Sequence, residues 1–581
     1  MKRRQKKTQT GLLNCENQLS RAPTLLELSG RQHRGKRHVR EFPSGSARSE
    51  NLSMRRNLWS GNQEVPPTPG GDGPTGRADE ATNRDTAMHA GGKSDNRVVP
   101  TKRLNNGGSS EPLAEAVEER RLTEGNAQQT TTLRTQSRIG VSLGLLRVRE
   151  AARRDKCARF TNLLHHVTLD LLRQSFCALK REAAPGVDGV TWRKYEANLE
   201  LQLRDLHDRV HRGAYRAQPS RRTYIPKADG KQRPLGIAAL EDKIVQHAVA
   251  TVLNHIYEED FLGFSYGFRP GRHQHHALDA LWVGVMDRKV RWVLDADIRG
   301  FFDTIDHEWM LKFVEHRIVD PRILRLIRKW LKAGVSEDGR WTETTVGIPQ
   351  GAVISPLLAN VYLHYVFDLW VNLWRRKYAT GDIIVVRYAD DFVLGFQNHK
   401  DAERFLAELR ERMANFGLAL HPDKTRLIQF GRFAASNRRQ QGKGKPETFN
   451  FLGFTHLCSE TRRTKEFTIL RYTMSKRMKA TLKAIRASLV RRRHDPLGQT
   501  ALWLASVLRG YYQYHAVPGN YGRLRMFWQL LKRIWFRTLS RRSQRARLQW
   551  EHFGPLADQW LPPPRILHPY PNVRFYAIHP K

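Results

Sequence analysis

Cysteine is scarce in this sequence. Four occur in 581 residues, Cys15, Cys157, Cys177 and Cys458, and no two stand as C-x-x-C. That argues against a cysteine-ligated zinc site. Scattered thiols in so long a chain fit a reducing compartment better than a disulfide-stapled secreted domain. Long apolar runs are missing too. No uninterrupted stretch is long enough to span a bilayer, so no integral membrane protein is expected. The basic start, MKRRQKKTQT, leads into no apolar signal core. The first fifty residues are rich in Arg and Ser, as transit peptides are, but Glu16, Glu27, Glu41 and Glu50 interrupt them. Acidic residues are the third shortage. Asp and Glu number 57 against 99 Lys and Arg, a net charge of +42. Such an excess points to a polyanionic partner, nucleic acid first and an anionic membrane surface second.

The chain is long enough for about two to four domains. Its first 140 residues are unlike the rest: EVPPTPGGDGPTGRADEATNRD and KRLNNGGSSEP carry few apolar side chains. Such segments cannot bury enough surface to offset the entropy of ordering, so residues 1–150 read as a mostly disordered basic extension. From about residue 150 the pattern turns helical. Residues 160–182 place Leu163, Leu164, Val167, Leu171 and Leu172 on one helical face. A second helix is expected near 196–212. Strands and helices alternate from 222 to 456. Three basic amphipathic helices are expected at 475–493, 500–515 and 521–539. The Pro-rich end, WLPPPRILHPYPNVRF, reads as extended.

The stretch IIVVRYADDFVLGF (383–396) interrupts strand-forming residues with two carboxylates, Asp390 and Asp391. A hairpin turning at Ala389-Asp390-Asp391 would present them at its tip. Taken alone, paired aspartates at a turn are usually a solvated turn. A second acidic stretch, RWVLDADIRGFFDTIDH (291–307), puts Asp297 near the end of another apolar strand. Two such strands side by side would bring Asp297 and Asp390 to one point. Carboxylates alone make a hard-cation site, suited to Mg²⁺. Two such ions about 4 Å apart can activate a hydroxyl and stabilise a leaving phosphate.

Other stretches keep these company. TYIPKADGKQRPLGI (223–237) reads as a basic hairpin able to clamp a triphosphate, with Lys227, Lys231 and Arg233 around an Asp229-Gly230 turn. SYGFRPGRHQHHAL (265–278) offers Arg269 and Arg272 among aromatics, a candidate template-strand contact. His273, His275 and His276 lack ligand-spaced partners and read as polar surface or backbone contacts. GIPQGAVISPLLANVYLHYVFDLW (347–370) is a Gly-Pro turn feeding a helix, with Gln350 and Gly351 expected at its N-terminus, close to a nucleotide. GLALHPDKTRLIQF (417–430) places Lys424 on a loop within reach of the same point.

From about residue 155 onward, these blocks and their order resemble group II intron-encoded reverse transcriptase/maturases. IPKADGKQRPLGI, SYGFRPGR, DADIRGFFDTIDH, GIPQGAVISPLLANVYL, RYADDFV, HPDKT and FLGF are similar to that family's successive fingers and palm motifs. The helices at 475–539, with LRGYYQYH, resemble its thumb or maturase domain. The resemblance implies an α+β right-hand polymerase: fingers and palm with antiparallel sheet plus helices, then an α-helical thumb/maturase domain. Its implied divisions are a helical extension of the fingers at 151–220, fingers and palm at 221–456, the thumb at 465–540 and a basic tail at 541–581. It implies Asp297, Asp390 and Asp391 as ligands of two Mg²⁺ ions, and Lys424 as proton donor to the leaving pyrophosphate. It implies dNTP contacts from Lys227, Arg233, Gln350 and Gly351. Phe302, with Phe301 as fallback, falls at the aromatic gate against ribose. Lys476, Arg477, Lys479, Arg491, Arg492 and Arg493 are the thumb's candidate RNA contacts. Implied partners are group II intron RNA, template RNA, a DNA primer or target and dNTPs, with no membrane; a homodimer stays open. The implied location is the bacterial cytoplasm, in a ribonucleoprotein, with an organelle as the other option. Many family members end in an HNH endonuclease with paired cysteines, which is not expected here.

Two rival readings share these motifs. One is a splicing-only maturase, which would gain nothing from three costly acids in a phosphate-binding cleft. The other is a reverse transcriptase of the retron or diversity-generating kind, disfavoured by the basic helical region after FLGF. The net charge generates a direct expectation. In filter-binding titrations, RNA affinity should fall steeply and log-linearly with added salt; a flat response would contradict a polyanion-binding surface.

Overall fold

The computed structural model describes residues 143–226, 232–461, 463–543 and 548–580. The extension expected at 1–150 therefore lies outside the described residues up to 142, and so do Lys227, the Asp229-Gly230 turn and Lys231.

The N-terminal helices are Leu143–Arg154, Leu169–Ala178, Trp192–Glu196 and Leu199–Arg212. The single helix expected over 160–182 is not there. A 3-10 turn, Leu164–His166, comes first, and the helix starts only after Thr168, whose hydroxyl caps it by accepting from Leu171 N at 3.2 Å. The amides of Leu163 and Leu164 are taken instead by Asp320 Oδ2, at 2.7 and 3.0 Å. Asp320 also caps the helix Pro321–Lys332 through Arg322 N. Burial alone would raise this carboxyl's pKa; the bonds from Arg322 and these amides outweigh it and hold the carboxyl below its usual range. The apolar face was nonetheless read correctly: Leu163, Leu164, Val167, Leu171 and Leu172 are all buried.

Three small sheets follow. Strands β1 (Ser220–Pro226) and β2 (Gln232–Ile237) pair antiparallel, and β4 (Val335–Glu337) and β5 (Arg340–Thr342) extend them in the order β2-β1-β4-β5. The central sheet has the order β6-β7-β3-β8, from β6 (Ile383–Tyr388), β7 (Asp391–Phe396), β3 (Trp292–Asp297) and β8 (Arg426–Gln429). β9 (Phe449–Phe451), β10 (Phe454–Glu460) and β11 (Phe467–Thr473) form a meander beyond it. The helix Leu240–Asp260 runs through the largest apolar cluster, with Ile244, Val245, Ala248, Val249, Val252, Leu253 and Ile256 buried.

The helices Ser475–Arg491, Leu497–His515 and Tyr521–Ser540 lie where the sequence pattern puts them, around their own core of Leu504, Leu508, Phe527, Leu531 and Trp535. The tail is not simply extended. Trp550–Trp560 and Pro571–Ile578 are helices, the second opened by a proline whose missing N–H no helix needs at that position. This last helix packs against the helix Gln274–Asp287. There Asp279, buried, accepts from Arg471 Nη1 at 2.9 Å and from Arg574 Nε at 2.5 Å. His275 is also buried here rather than on the surface, its ring 4.0 Å from that of His568 and 5.4 Å from that of Tyr514. Burial first, then the nearby cations, keep its imidazole neutral, far below the usual pKa.

Removing one partner of a buried ion pair strands the others. Asp279→Ala should lower unfolding free energy by roughly 3–5 kcal/mol in denaturant titrations. It should also open the segment 561–580 to protease; an unchanged cleavage pattern would show that Asp279 does not anchor the tail.

Candidate active site

β3 lies between β7 and β8, antiparallel to both. Its pairing with β7 runs from Trp292 opposite Phe396 to Asp297 opposite Asp391. Apolar residues fill both faces behind that end, Leu294, Ala296, Phe392 and Leu394 on one of them. Val293 and Val393 are fully buried, while the two aspartates close the ladder at its open end. The strands β6 and β7 are joined by only two residues, Ala389 and Asp390, since Tyr388 pairs with Asp391. Such short hairpin loops need positive φ at the first loop position. Ala389 supplies it at 56°, without being glycine. Gly267 shows how closely this turn is backed: a Cβ there would collide with the backbone nitrogen of Ala389.

Past Asp297 the chain continues as a bridge to residues 419–421. Arg299 N donates to Ala419 O at 2.8 Å and His421 N donates to Asp297 O at 2.8 Å. That brings Lys424 back over the site, its Nζ 2.6 Å from Asp297 Oδ2. Asp297, Asp391 and Lys424 are thus brought together, with Asp390 next in the chain. Asp391 is exposed at the end of the ladder, with Asp297 opposite it and Asp390 beside it in the chain. Poor solvation first, then the negative charges of Asp390 and Asp297, push its carboxyl well above the usual range. Partial burial works against the Lys424 ammonium, but the bond and charge of Asp297 outweigh it and raise its pKa.

Asp295 was not singled out from the sequence. It lies on β3 two residues before Asp297, hence on the same face, with Arg426 3.8 Å away. Burial raises its pKa to about 6. Its signal was available in the D-x-D spacing.

The neighbouring loop is tightly seated. Gly300, with φ of 57°, turns the chain into the short helix Phe301–Thr304, where Phe301 and Phe302 are both buried. Phe301 leans edge-on toward Tyr362. Ile348 N donates to Phe302 O at 2.7 Å, Gly347 N to Ile305 O at 2.8 Å, and His307 Nε2 to Gly347 O at 2.6 Å. Gly236 N of β2 donates to Gln350 O at 2.7 Å. Gly351 has φ of 112°, and a Cβ there would lie 2.7 Å from Gly236 O. Gln350 Nε2 reaches Asp303 Oδ1 at 3.4 Å. Gln350 and Gly351 precede the helix Ser355–Leu363 by several residues, so they do not form its N-terminus as expected. Arg233 is half-buried on β2 opposite Ile225.

Arg269 is a correction. Its guanidinium is buried, bound to Glu258 Oε2 at 3.0 Å and to the carbonyls of Leu262 and Ser265 at 2.8 and 2.9 Å. It braces its own loop and has no arm left for a template strand. Arg272 is half-buried, with one nitrogen on Gly263 O at 2.7 Å. On the helical region, Lys476, Lys479 and Arg491 are exposed and Arg477 and Arg493 half-buried. Arg492 is turned inward on Asp495, at 3.5 Å, and over the Trp503 ring.

Residues 225–456, the stretch holding all of these acids, match the family described as reverse transcriptase (RNA-dependent DNA polymerase). Protein YkfC of Escherichia coli is 38% identical over 275 residues, 42% of this chain and 72% of YkfC. The chain belongs to the reverse transcriptase family. Within it, the group II intron-encoded protein LtrA of Lactococcus lactis is 41% identical over 183 residues. That match spans 31% of this chain and 30% of LtrA. An uncharacterized 91 kDa protein in a cob intron of Schizosaccharomyces pombe is 33% identical over 221 residues, covering 37% of this chain and 27% of that protein. The chain is therefore a reverse transcriptase of the group II intron reverse transcriptase/maturase kind, an RNA-directed DNA polymerase by family, although it spans under a third of LtrA. Among the described residues, no helix of this reverse transcriptase is long and apolar enough to cross a membrane.

The seating of the turn yields a measurable consequence. Gly267→Ala should cut primer-extension activity by at least about tenfold by displacing Ala389. Activity at the wild-type level would mean that the turn can move without cost.

Proposed function

We propose that this reverse transcriptase copies RNA into DNA by attack of a primer 3′-hydroxyl on the α-phosphate of a dNTP, at Asp297, Asp390 and Asp391, and that it also serves as the maturase of its intron. The single observation carrying this reading is the register that sets Asp297 opposite Asp391, one residue from Asp390.

Among the described residues, no three Asp, Glu, His or Cys side chains already stand converged as metal ligands. Asp297 is engaged by Lys424 instead. The donor set nevertheless fits hard divalent cations: oxygens only, with one carboxyl, Asp391, whose ionised form is penalised until positive charge accompanies it. Asp297, Asp390 and Asp391 would hold two Mg²⁺ ions, which when bound lower the cost of forming the attacking alkoxide and of charge on the transferring phosphate. Lys424 keeps its proton at Nζ, as its raised pKa favours, and delivers it to the leaving pyrophosphate. Arg233 and Lys227 bind the triphosphate, and Gln350 and Gly351 line the nucleotide's position. Phe302, or Phe301 beside it, excludes a ribose 2′-hydroxyl.

The exposed Lys476, Lys479 and Arg491, with half-buried Arg477, Arg493 and Arg272, bind template and folded intron RNA through phosphates and shape. The RNA supplies the splicing chemistry. The partners are then intron RNA, template RNA, a DNA primer or target and dNTPs, in the bacterial cytoplasm.

Asp390→Asn combined with Asp391→Asn should abolish cDNA synthesis in a primer-extension assay while RNA affinity stays within a few-fold. Loss of RNA binding together with synthesis would instead assign these acids to the fold.

A further inference from the structure

Behind the catalytic turn lies an arginine with no exposure to solvent. Arg387, at the penultimate position of β6, uses every nitrogen of its guanidinium. Nε and Nη2 fork onto Asp368 Oδ1 and Oδ2 at 2.7 and 2.5 Å. Nη2 also reaches Ser265 Oγ at 2.7 Å. Nη1 donates to Asn360 Oδ1 at 3.0 Å and to the carbonyl oxygen of Ala389 at 3.1 Å. Asp368 is likewise fully buried, and it ends a π-helical turn, His364–Asp368, inside a longer helix. Asn360 Nδ2 donates in turn to Gly267 O at 2.7 Å. The same amide side chain therefore ties Arg387 to the loop that backs the turn.

A buried ion pair by itself is weak support for any role beyond the fold, because desolvation cancels most of its attraction. Two features go further here. The fifth bond ends on Ala389, an alanine at a φ of 56° in the two-residue loop that carries Asp390. Strained backbone persists only where its surroundings over-determine it, and it clusters at working sites. The π-helical turn is the second feature. Such turns cost helix stability and recur at functional sites, and this one supplies the acid that orients the arginine.

We propose that Arg387 is a positioning residue for polymerisation: it grips the Ala389 carbonyl, and Asp368, Asn360 and Ser265 hold it there, so that Asp390 and Asp391 keep one fixed placement relative to Asp297. This rests on the polymerase reading of the site. Arg387 touches no substrate; it acts through the backbone of the turn. Lysine in its place would keep the charge opposite Asp368 but could not span five acceptor atoms on four residues in a planar fork.

The test uses the full-length protein, with pre-steady-state primer extension measured across a Mg²⁺ series. Thermal midpoint and RNA affinity are taken on the same preparations. Wild type is compared with Arg387→Lys and with Arg387→Met combined with Asp368→Leu. The paired change removes both buried charges, a replacement proteins often tolerate. The expected result in both variants is a per-site extension rate lower by roughly 10- to 100-fold. The Mg²⁺ concentration for half-maximal rate should rise several-fold, with RNA affinity within a few-fold. A purely structural role would lower the thermal midpoint and the burst amplitude together, leaving the rate and Mg²⁺ midpoint of the surviving sites at wild-type values; that result overturns the inference. If the paired variant does not fold, Arg387→Lys decides on the same two readouts. A wild-type protein inactive on every primer and template overturns the polymerase reading first, and this inference with it, before any variant is compared.

Discussion

Like charges crowded at the end of two hydrogen-bonded strands repel each other, and the fold must hold them together regardless. Two unit charges about 4 Å apart repel by roughly 4 kcal/mol at the effective dielectric of a protein surface. The β3–β7 ladder meets this cost with main-chain bonds, which do not weaken when a side chain changes its protonation. Asp297 and Asp391 are opposed because the ladder that starts with Trp292 opposite Phe396 carries its register to that end, between apolar residues buried on both faces, Val293 and Val393 on one and Leu294 and Leu394 on the other. The strand pairing thus decides the spacing of the acids, and Lys424 relieves part of their repulsion.

Around that ladder the tolerances are small. Gly267, Gly347 and Gly351 each stand where a single added carbon would strike backbone. Ala389 takes a φ that alanine disfavours. The loop at 347–351 is tied to Phe302, Ile305 and Gly236 by backbone bonds and to His307 through its ring, so little of this junction rests on adaptable side chains. Geometry of this kind suits a reaction governed by placement more than by protein acid–base chemistry.

Much of this was legible in the sequence. The β-branched flanks of Asp390 and the strand before Asp297 predicted two strands, and both are present. Lys424 was expected within reach and lies on Asp297. Other features were not legible, for definite reasons. The leucines of 160–182 had the right period for a helix, but Asp320, far along the chain, claims two of the amides a helix would have needed. Arg269 looked like an RNA contact because composition cannot distinguish an arginine facing solvent from one spent on its own loop. Arg387 and Asp368 are 19 residues apart and meet only in the folded core, where Asp368 ends a π-helical turn that no residue pattern announces. His275 became a core residue through a tail that returns from nearly 300 positions away.

That returning tail has a mechanical consequence. The three-helix region follows β9–β11, and the tail beyond it is fastened again where Arg574 shares Asp279 with Arg471 of β11. A lever pinned at both ends does not swing freely. Residues 561–570 join the helix Trp550–Trp560 to the pinned helix Pro571–Ile578, so lengthening or shortening that stretch would slacken or tighten the tether without altering any residue of the active site.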